Sequence, residues 1–245
     1  QIVRKLFKPS KQYKSDRLGR WEELRKELRQ ENRFIPKTKI DFERLELLLS
    51  RLILDPGDFP TTWYRARIQT GDSVFGANEM NAPPPKIASH GRANPAGIPY
   101  LYLGSTVATA ISEIRPHTGE IACVANFVTP NDLKLVDLRS PKVTVSPFLL
   151  ADEADVGQMR FDLMFLERLG DELTRPVRPQ AVAFDYTPSQ YLCEFIKKCG
   201  YDGVVYRSSV SEGINVALFN PVKATMGQIG QHTVTKVSVA SAPIT

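Results

Sequence analysis

The stretch Thr62-Trp63-Tyr64-Arg65-Ala66-Arg67-Ile68 changes character with every residue. A two-residue period of this kind predicts a β-strand. Tyr64, Ala66 and Ile68 share one face, and Trp63, Arg65 and Arg67 share the other. Two arginines on one strand face either meet solvent or line a cleft. Downstream, a long irregular segment runs from Thr70 to Pro99, with Ala82-Pro83-Pro84-Pro85 and Gly91-Arg92-Ala93-Asn94-Pro95 inside it. A loop that long inside a compact domain is functional or disordered, and its prolines limit its freedom.

Beyond the loop, Tyr100 to Leu103 predicts a strand. A helix over about 106–114 follows, with Val107, Ala110, Ile111 and Ile114 on one stripe and Glu113 off it. Ser105 or Thr106 can cap it. Strands are predicted at 120–128 and 133–138, and a helix at about 158–173 carries Phe161, Met164, Phe165 and Leu169. A further helix runs from Pro188 to Cys199, with Thr187 as N-cap and Gly200 as its stop. Val204 to Tyr206 and Ile214 to Phe219 are predicted strands around the polar loop Arg207 to Gly213. Short strands mixed with helices imply an α+β fold with a mixed sheet.

Upstream of the strand, Leu18, Trp21, Leu24 and Leu28 predict a helix over 16–33. Phe42, Leu45, Leu48, Leu49 and Leu52 predict a second over 39–54, with Thr38 and Asp41 resembling a capping box. The chain is therefore read as a basic N-terminal helical attachment over 1–59, a main domain over 60–221 and a tail over 222–245. In the tail, Thr233 to Val239 alternate and can add an edge strand.

The 245 residues hold 32 Lys and Arg against 27 Asp and Glu, a net charge of +5. The whole excess lies in residues 1–60, with 15 basic and 10 acidic side chains; the remainder holds 17 of each. A basic tail can meet nucleic acid or an acidic partner, but a neutral main domain argues against direct nucleic-acid chemistry in a basic groove. No apolar run approaches membrane-spanning length, and the start lacks the apolar core of a signal peptide. Three cysteines without C-x-x-C spacing suggest no disulfide framework and a reducing compartment. The three histidines are isolated, so no metal site is expected. G-x-G-x-x-G, Walker and G-x-S-x-G motifs are all lacking. A phosphate-bearing ligand would be held by arginines and loop amides.

Several stretches agree, in order, with one family: Tyr64-Arg65-Ala66-Arg67, Gly91-Arg92-Ala93-Asn94 with Gly97, Tyr100 to Tyr102, Ala110 to Glu113, and Tyr206 to Phe219. Asp185-Tyr186-Thr187-Pro188-Ser189-Gln190-Tyr191 and Tyr201-Asp202-Gly203-Val204-Val205-Tyr206 add to them. Together they resemble the RES domain, named for its Arg, Glu and Ser, over roughly residues 60–221. Glu31-Asn32-Arg33-Phe34 and the helices around it are similar to the extension of longer RES proteins. Arg207 stands where many members have Pro, and Ser209 follows Ser208.

The resemblance implies an ADP-ribosyltransferase-like core and an NAD+-consuming activity. It implies a toxin of the bacterial toxin–antitoxin kind or a secreted effector, acting in the cytoplasm of the producing or a target cell. A neutralising antitoxin or immunity protein would oppose it. NAD+ is then the substrate, and inorganic phosphate, water or a protein is the acceptor. The family's Arg, Glu and Ser fall on Arg65, Glu113 and Ser208, and its further polar positions on Arg92 and Tyr102. The chemistry suits these residue types. Losing nicotinamide leaves an oxocarbenium-like ribose, which a single carboxylate, Glu113, can stabilise. Arg65 and Arg92, with Arg67 beside them, can grip the diphosphate through planar forks. Tyr102 can stack on a ring, and Ser208 can bind the ribose or the amide, or simply make a turn in its own loop. Asn94, Gln190 and Asn215 are weaker ligand candidates. The reading from another class is a non-catalytic binding module that docks through its basic N-terminal region.

Overall fold

A computed structural model describes residues 20–144, 162, 165, 168–175 and 182–238. The basic residues 1–19, Phe161 and Met164 of the expected 158–173 helix, and residues 239–245 lie outside them. Among the described residues, seven strands form one mixed sheet: β1 (Thr62–Ile68), β2 (Leu101–Gly104), β3 (Ile121–Val128), β4 (Leu135–Asp137), β5 (Gly203–Arg207), β6 (Ile214–Leu218) and β7 (Thr225–Thr233). Their order is β4-β5-β6-β2-β1-β3-β7. Only the β4–β5 pair is parallel; the remaining pairs are antiparallel. The longer helices are α1 (Trp21–Gln30), α2 (Phe42–Ser50), α3 (Val107–Glu113) and α4 (Thr187–Lys198). Helices and a mixed sheet, with a helical N-terminal part, make this an α+β fold.

Local chemistry explains the helix ends. Asp41 caps α2 by accepting from Arg44 N at 3.0 Å. Thr38 takes no part in that cap; its N–H goes to Glu27 instead. Thr106 caps α3 by accepting from Thr109 N. Tyr186, not Thr187, is the N-cap of α4 and makes no side-chain capping bond. Gly200 follows α4 with φ +86°, a left-handed conformation that stops a helix.

Alternation assigns each sheet face. Trp63 of β1, Leu101 and Leu103 of β2, Val205 of β5 and Val216 and Leu218 of β6 bury into one apolar core. Val204, Tyr206 and Ala217 bury on the other side, among Leu192, Cys193 and Ile196 of α4. Trp21, Leu24 and Leu28 of α1 and Leu45, Leu48 and Leu49 of α2 belong to that same second core. The N-terminal helices are thus built into the main body and share its hydrophobic interior. Burying leucines to zero exposure stabilises by roughly 2 kcal/mol per side chain. Among the described residues, four ion pairs fasten the same helices: Arg25 with Glu172, Arg29 with Asp185, Arg44 with Asp162 and, more loosely at 3.8 Å, Arg168 with Glu22.

Two features of the sheet matter for the site. β1 and β2 meet at the single register Tyr64–Gly104 and part beyond it, whereas β1 pairs with β3 along its whole length. The C-terminal edge strand is β7, which pairs with β3. It ends at Thr233, so the alternation over 233–239 does not mark the strand. Its Gly- and Gln-rich sequence, mostly exposed, carries little apolar pattern.

Candidate active site

Where β1 and β2 part, a cleft of about 330 Å³ opens, a size suited to a small ligand. Tyr64, Arg65, His90, Arg92, Tyr102 and Glu113 contribute to its walls, as do Tyr186, Tyr206 and Asn215. Glu113 is the last residue of α3. A carboxylate gains nothing from the helix dipole there, and side-chain donors hold it instead. Ser208 Oγ donates to Glu113 Oε1 at 2.7 Å, and Asn215 Nδ2 donates to the same oxygen at 2.6 Å. Oε2 takes no hydrogen bond from the described residues.

Ser208 also completes its own turn. Its hydroxyl accepts from Val210 N at 3.2 Å and Ser211 N at 3.1 Å. Ser209 does something else: its Oγ accepts from Arg92 Nη2 at 3.2 Å. Arg207 points away from the cleft and reaches Ser140 Oγ.

The arginines divide. Arg65 makes neither an ion pair nor a hydrogen bond to any described residue. Burial, with the charge of Arg67 next in effect, pushes its guanidinium down to about 10. It is a desolvated cation opening on the cleft. Arg67 does not join it: its guanidinium donates to Glu79 O at 2.7 Å and lies 4.5 Å from the centroid of the Phe75 ring. Arg92 lines the cleft but spends donors on scaffolding, bonding Leu173 O at 3.1 Å and Arg175 O at 2.6 Å. It thereby ties the loop to the end of the 168–174 helix, and lies 5.6 Å from the centroid of Tyr186.

The loop that carries Arg92 is internally saturated. Asn94 Nδ2 donates to Ser89 O, Pro95 O and Ile98 O, and its Oδ1 accepts from the Tyr102 hydroxyl at 2.6 Å. Ala93 N donates to that same hydroxyl at 2.9 Å. From α4, Gln190 Nε2 donates to Gly91 O and Asn94 O, and Ser189 Oγ donates to Arg92 O. A Cβ at Gly91 would collide with Asn94 Oδ1 and the Tyr102 hydroxyl. Asn94 and Gln190 are therefore loop fasteners, and Tyr102 offers the cleft its ring rather than its hydroxyl. The Gly91-to-Asn94 and Ser189-Gln190 stretches are each other's partners.

The structure also brings in residues that sequence reasoning did not select: Tyr64, Tyr186, Tyr206 and His90. Burial and the neighbouring Glu113 charge raise the Tyr206 phenol far above its ordinary value. Burial likewise raises Tyr102. Both stay neutral at physiological pH. The Tyr206 hydroxyl has no hydrogen-bond partner among the described residues. Tyr64, Tyr186 and Tyr206 all lie within the stretches that carry the family resemblance, which is the sequence signal that could have selected them. Among the described residues no group of three metal-ligating side chains occurs, and no helix is long and apolar enough to cross a membrane.

The RES domain model matches residues 62–235, from the first residue of β1 to just beyond β7. No functionally curated protein matches the chain. Among solved structures, the Mycobacterium tuberculosis MbcT–MbcA toxin–antitoxin complex aligns with TM-score 0.45 at 14% identity. The alignment covers 78% of this chain and 93% of that one. With 62–235 of its 245 residues matched, the chain belongs to the RES domain family.

Proposed function

We propose that this chain is an enzyme that consumes NAD+ by breaking the bond between nicotinamide and ribose. The single observation that carries the reading is the pairing, in one cleft, of the fixed Glu113 carboxylate with the Arg65 guanidinium, which has no ion-pair or hydrogen-bond partner among the described residues. Arg65 would hold the diphosphate, since a desolvated cation gains most from an anion. The C1′–N bond breaks with its electron pair going to nicotinamide, whose ring nitrogen loses its positive charge. Little acid help is then needed. The ribose becomes cationic at C1′, and Glu113, its Oε1 fixed by two donors, stabilises that charge. Aromatic walls from Tyr64, Tyr102 and Tyr186 suit stacking of the departing ring. An acceptor oxygen, from phosphate, water or a protein side chain, then bonds C1′ and gives up its proton. In a cell such an activity would be toxic, and a neutralising partner would restrain it.

The purified chain incubated with NAD+ should release nicotinamide, followed by chromatography with and without inorganic phosphate. ADP-ribose 1-phosphate formed in phosphate identifies phosphate as the acceptor, ADP-ribose identifies water, and label from adenine-labelled NAD+ appearing on protein in an added cell lysate identifies a side chain. Intact NAD+ with phosphate, without it and with lysate overturns the reading.

A further inference from the structure

Outside the matched family region, the loop between α1 and α2 carries Phe34 and Ile35, 96% and 84% exposed. Single exposed apolar side chains are ordinary on a protein surface. Two adjacent ones on a pinned loop are not. Glu27 of α1 holds this loop at both ends. Its carbonyl accepts from Glu31 N at 2.8 Å and Asn32 N at 2.9 Å. Its carboxylate accepts from Lys37 N at 2.6 Å and Thr38 N at 2.9 Å. These backbone donors, Lys37 first, pull the carboxyl down to about 2. The intervening Pro36 stiffens the turn further. A loop fixed this way loses little entropy when a partner engages it.

We propose that this loop docks a protein partner, inserting Phe34 and Ile35 into an apolar pocket rimmed by carboxylates. Charge selects that partner. Arg33, Lys37 and Lys39 are all exposed, and none has a carboxylate partner among the described residues. Glu31 is the one acid over 31–39, so the loop's charge is 3 − 1 = +2. An aromatic anchor flanked by an arginine is the composition of an interface centre. The chain's own first twenty residues are a poor cover, because they hold seven basic side chains and one acidic. A second copy docked by the same loop would set like charge against like. Membrane insertion would not need the rigidity that Glu27 imposes, whereas a shaped pocket rewards it. The proposal stands apart from the chemistry of the cleft.

The test uses the full chain as bait for a phage-displayed random peptide library. Binders to a Phe34→Ser, Ile35→Ser double variant are removed first. Enriched sequences should combine Leu, Phe or Trp with Asp or Glu. A synthetic peptide of the enriched sequence should bind the wild type. Its affinity should fall at least about tenfold in the double variant, in Arg33→Glu with Lys37→Glu, and as salt rises. NAD+ loss by these variants should match the wild type. Any of four results overturns the proposal: no enrichment, enrichment of neutral or basic peptides, variant-dependent binding to phosphatidylcholine–phosphatidylserine vesicles, or a wild-type dimer that the double variant loses.

Discussion

Ser208 and Asn215 converge on one oxygen of Glu113, at 2.7 Å and 2.6 Å, and the other oxygen receives nothing from the described residues. Two donors from the β5–β6 end of the sheet thus orient a carboxylate that ends a helix. The charge is preorganised before any substrate arrives.

That arrangement separates three variants. Glu113→Gln keeps an acceptor for both donors but removes the charge, so nicotinamide release should fall by about a hundredfold or more while the fold persists. Ser208→Ala removes one donor and the acceptor for Val210 and Ser211 N–H, and a loss of about tenfold is expected. Asn215 is buried, so Asn215→Ala should lower both rate and melting temperature. Steady-state kinetics with circular dichroism on each variant distinguishes these outcomes. Unchanged kcat in Glu113→Gln would remove the carboxylate from the mechanism.

Arg65 sets function against stability. Its cation is desolvated without a counter-charge among the described residues, so Arg65→Met should match or exceed the wild-type melting temperature while binding NAD+ far more weakly. The pH dependence has a definite sign. The folded value of about 10 lies below the ordinary 12.5, so the unfolded chain holds more protons between them. The cost to the fold is complete below pH 10 and is relieved as pH rises from 10 toward 12.5. ADP-ribose should raise the melting temperature of the wild type and leave that of Arg65→Met almost unmoved. Equal ligand shifts in the two proteins would refute the assignment.

Much of this fold was legible in local pattern, and little of the cleft was. Alternation over 62–68 located β1, and Pro188 with Gly200 bracketed α4, because both signals are carried by neighbouring residues. The parting of β1 from β2 depends on sheet order, which no local period encodes. Leu24 and Leu48 read as the apolar stripes of a separate helical attachment; their place in the main core depends on tertiary packing that no local period encodes. The β7 strand escaped because Gly227, Gly230 and its glutamines dilute the alternation. Within the site, the family resemblance marked Glu113 and Arg65, but Asn94 and Gln190 have amides that serve a ligand or a loop equally well. Their loop role appears only when Gly91 O and Asn94 O are seen to receive Gln190.

Gly91 tests that loop directly. Alanine there would drive a methyl group into Asn94 Oδ1 and the Tyr102 hydroxyl. The bond between those two atoms would open, and Asn94 would be left with buried, poorly partnered atoms. A loss of about 1–3 kcal/mol in urea unfolding is expected, with a raised KM as Arg92 and Tyr102 shift. A variant as stable and active as the wild type would show the loop to be less constrained than its hydrogen bonds suggest.

Glu27 gives the acid limb of stability a specific owner. Its folded carboxyl lies near 2 against an ordinary 4.5, because the Lys37 and Thr38 N–H groups favour the anion. The stabilisation is therefore complete above pH 4.5 and is lost as pH falls from 4.5 toward 2. Glu27→Gln should be less stable than the wild type at pH 7, and the gap should close on acidification through that window. Chemical denaturation at pH 7, 4.5 and 3 reads the effect; a gap that stays constant would assign the loop's anchorage elsewhere.

The ion pair between Arg29 of α1 and Asp185 links the N-terminal helices to the cleft, since the next residue, Tyr186, lines it. Both side chains are largely shielded from water. Removing one partner leaves a poorly solvated charge, so Arg29→Met should cost about 3 kcal/mol. Replacing both, as Arg29→Met with Asp185→Asn, should recover part of that loss, and the coupling should appear as non-additivity in a double-mutant cycle. If the pair also positions Tyr186, KM for NAD+ should rise in the single variant and fall back in the double one, with kcat little changed. Additive stabilities together with an unchanged KM would confine the N-terminal helices to covering the core.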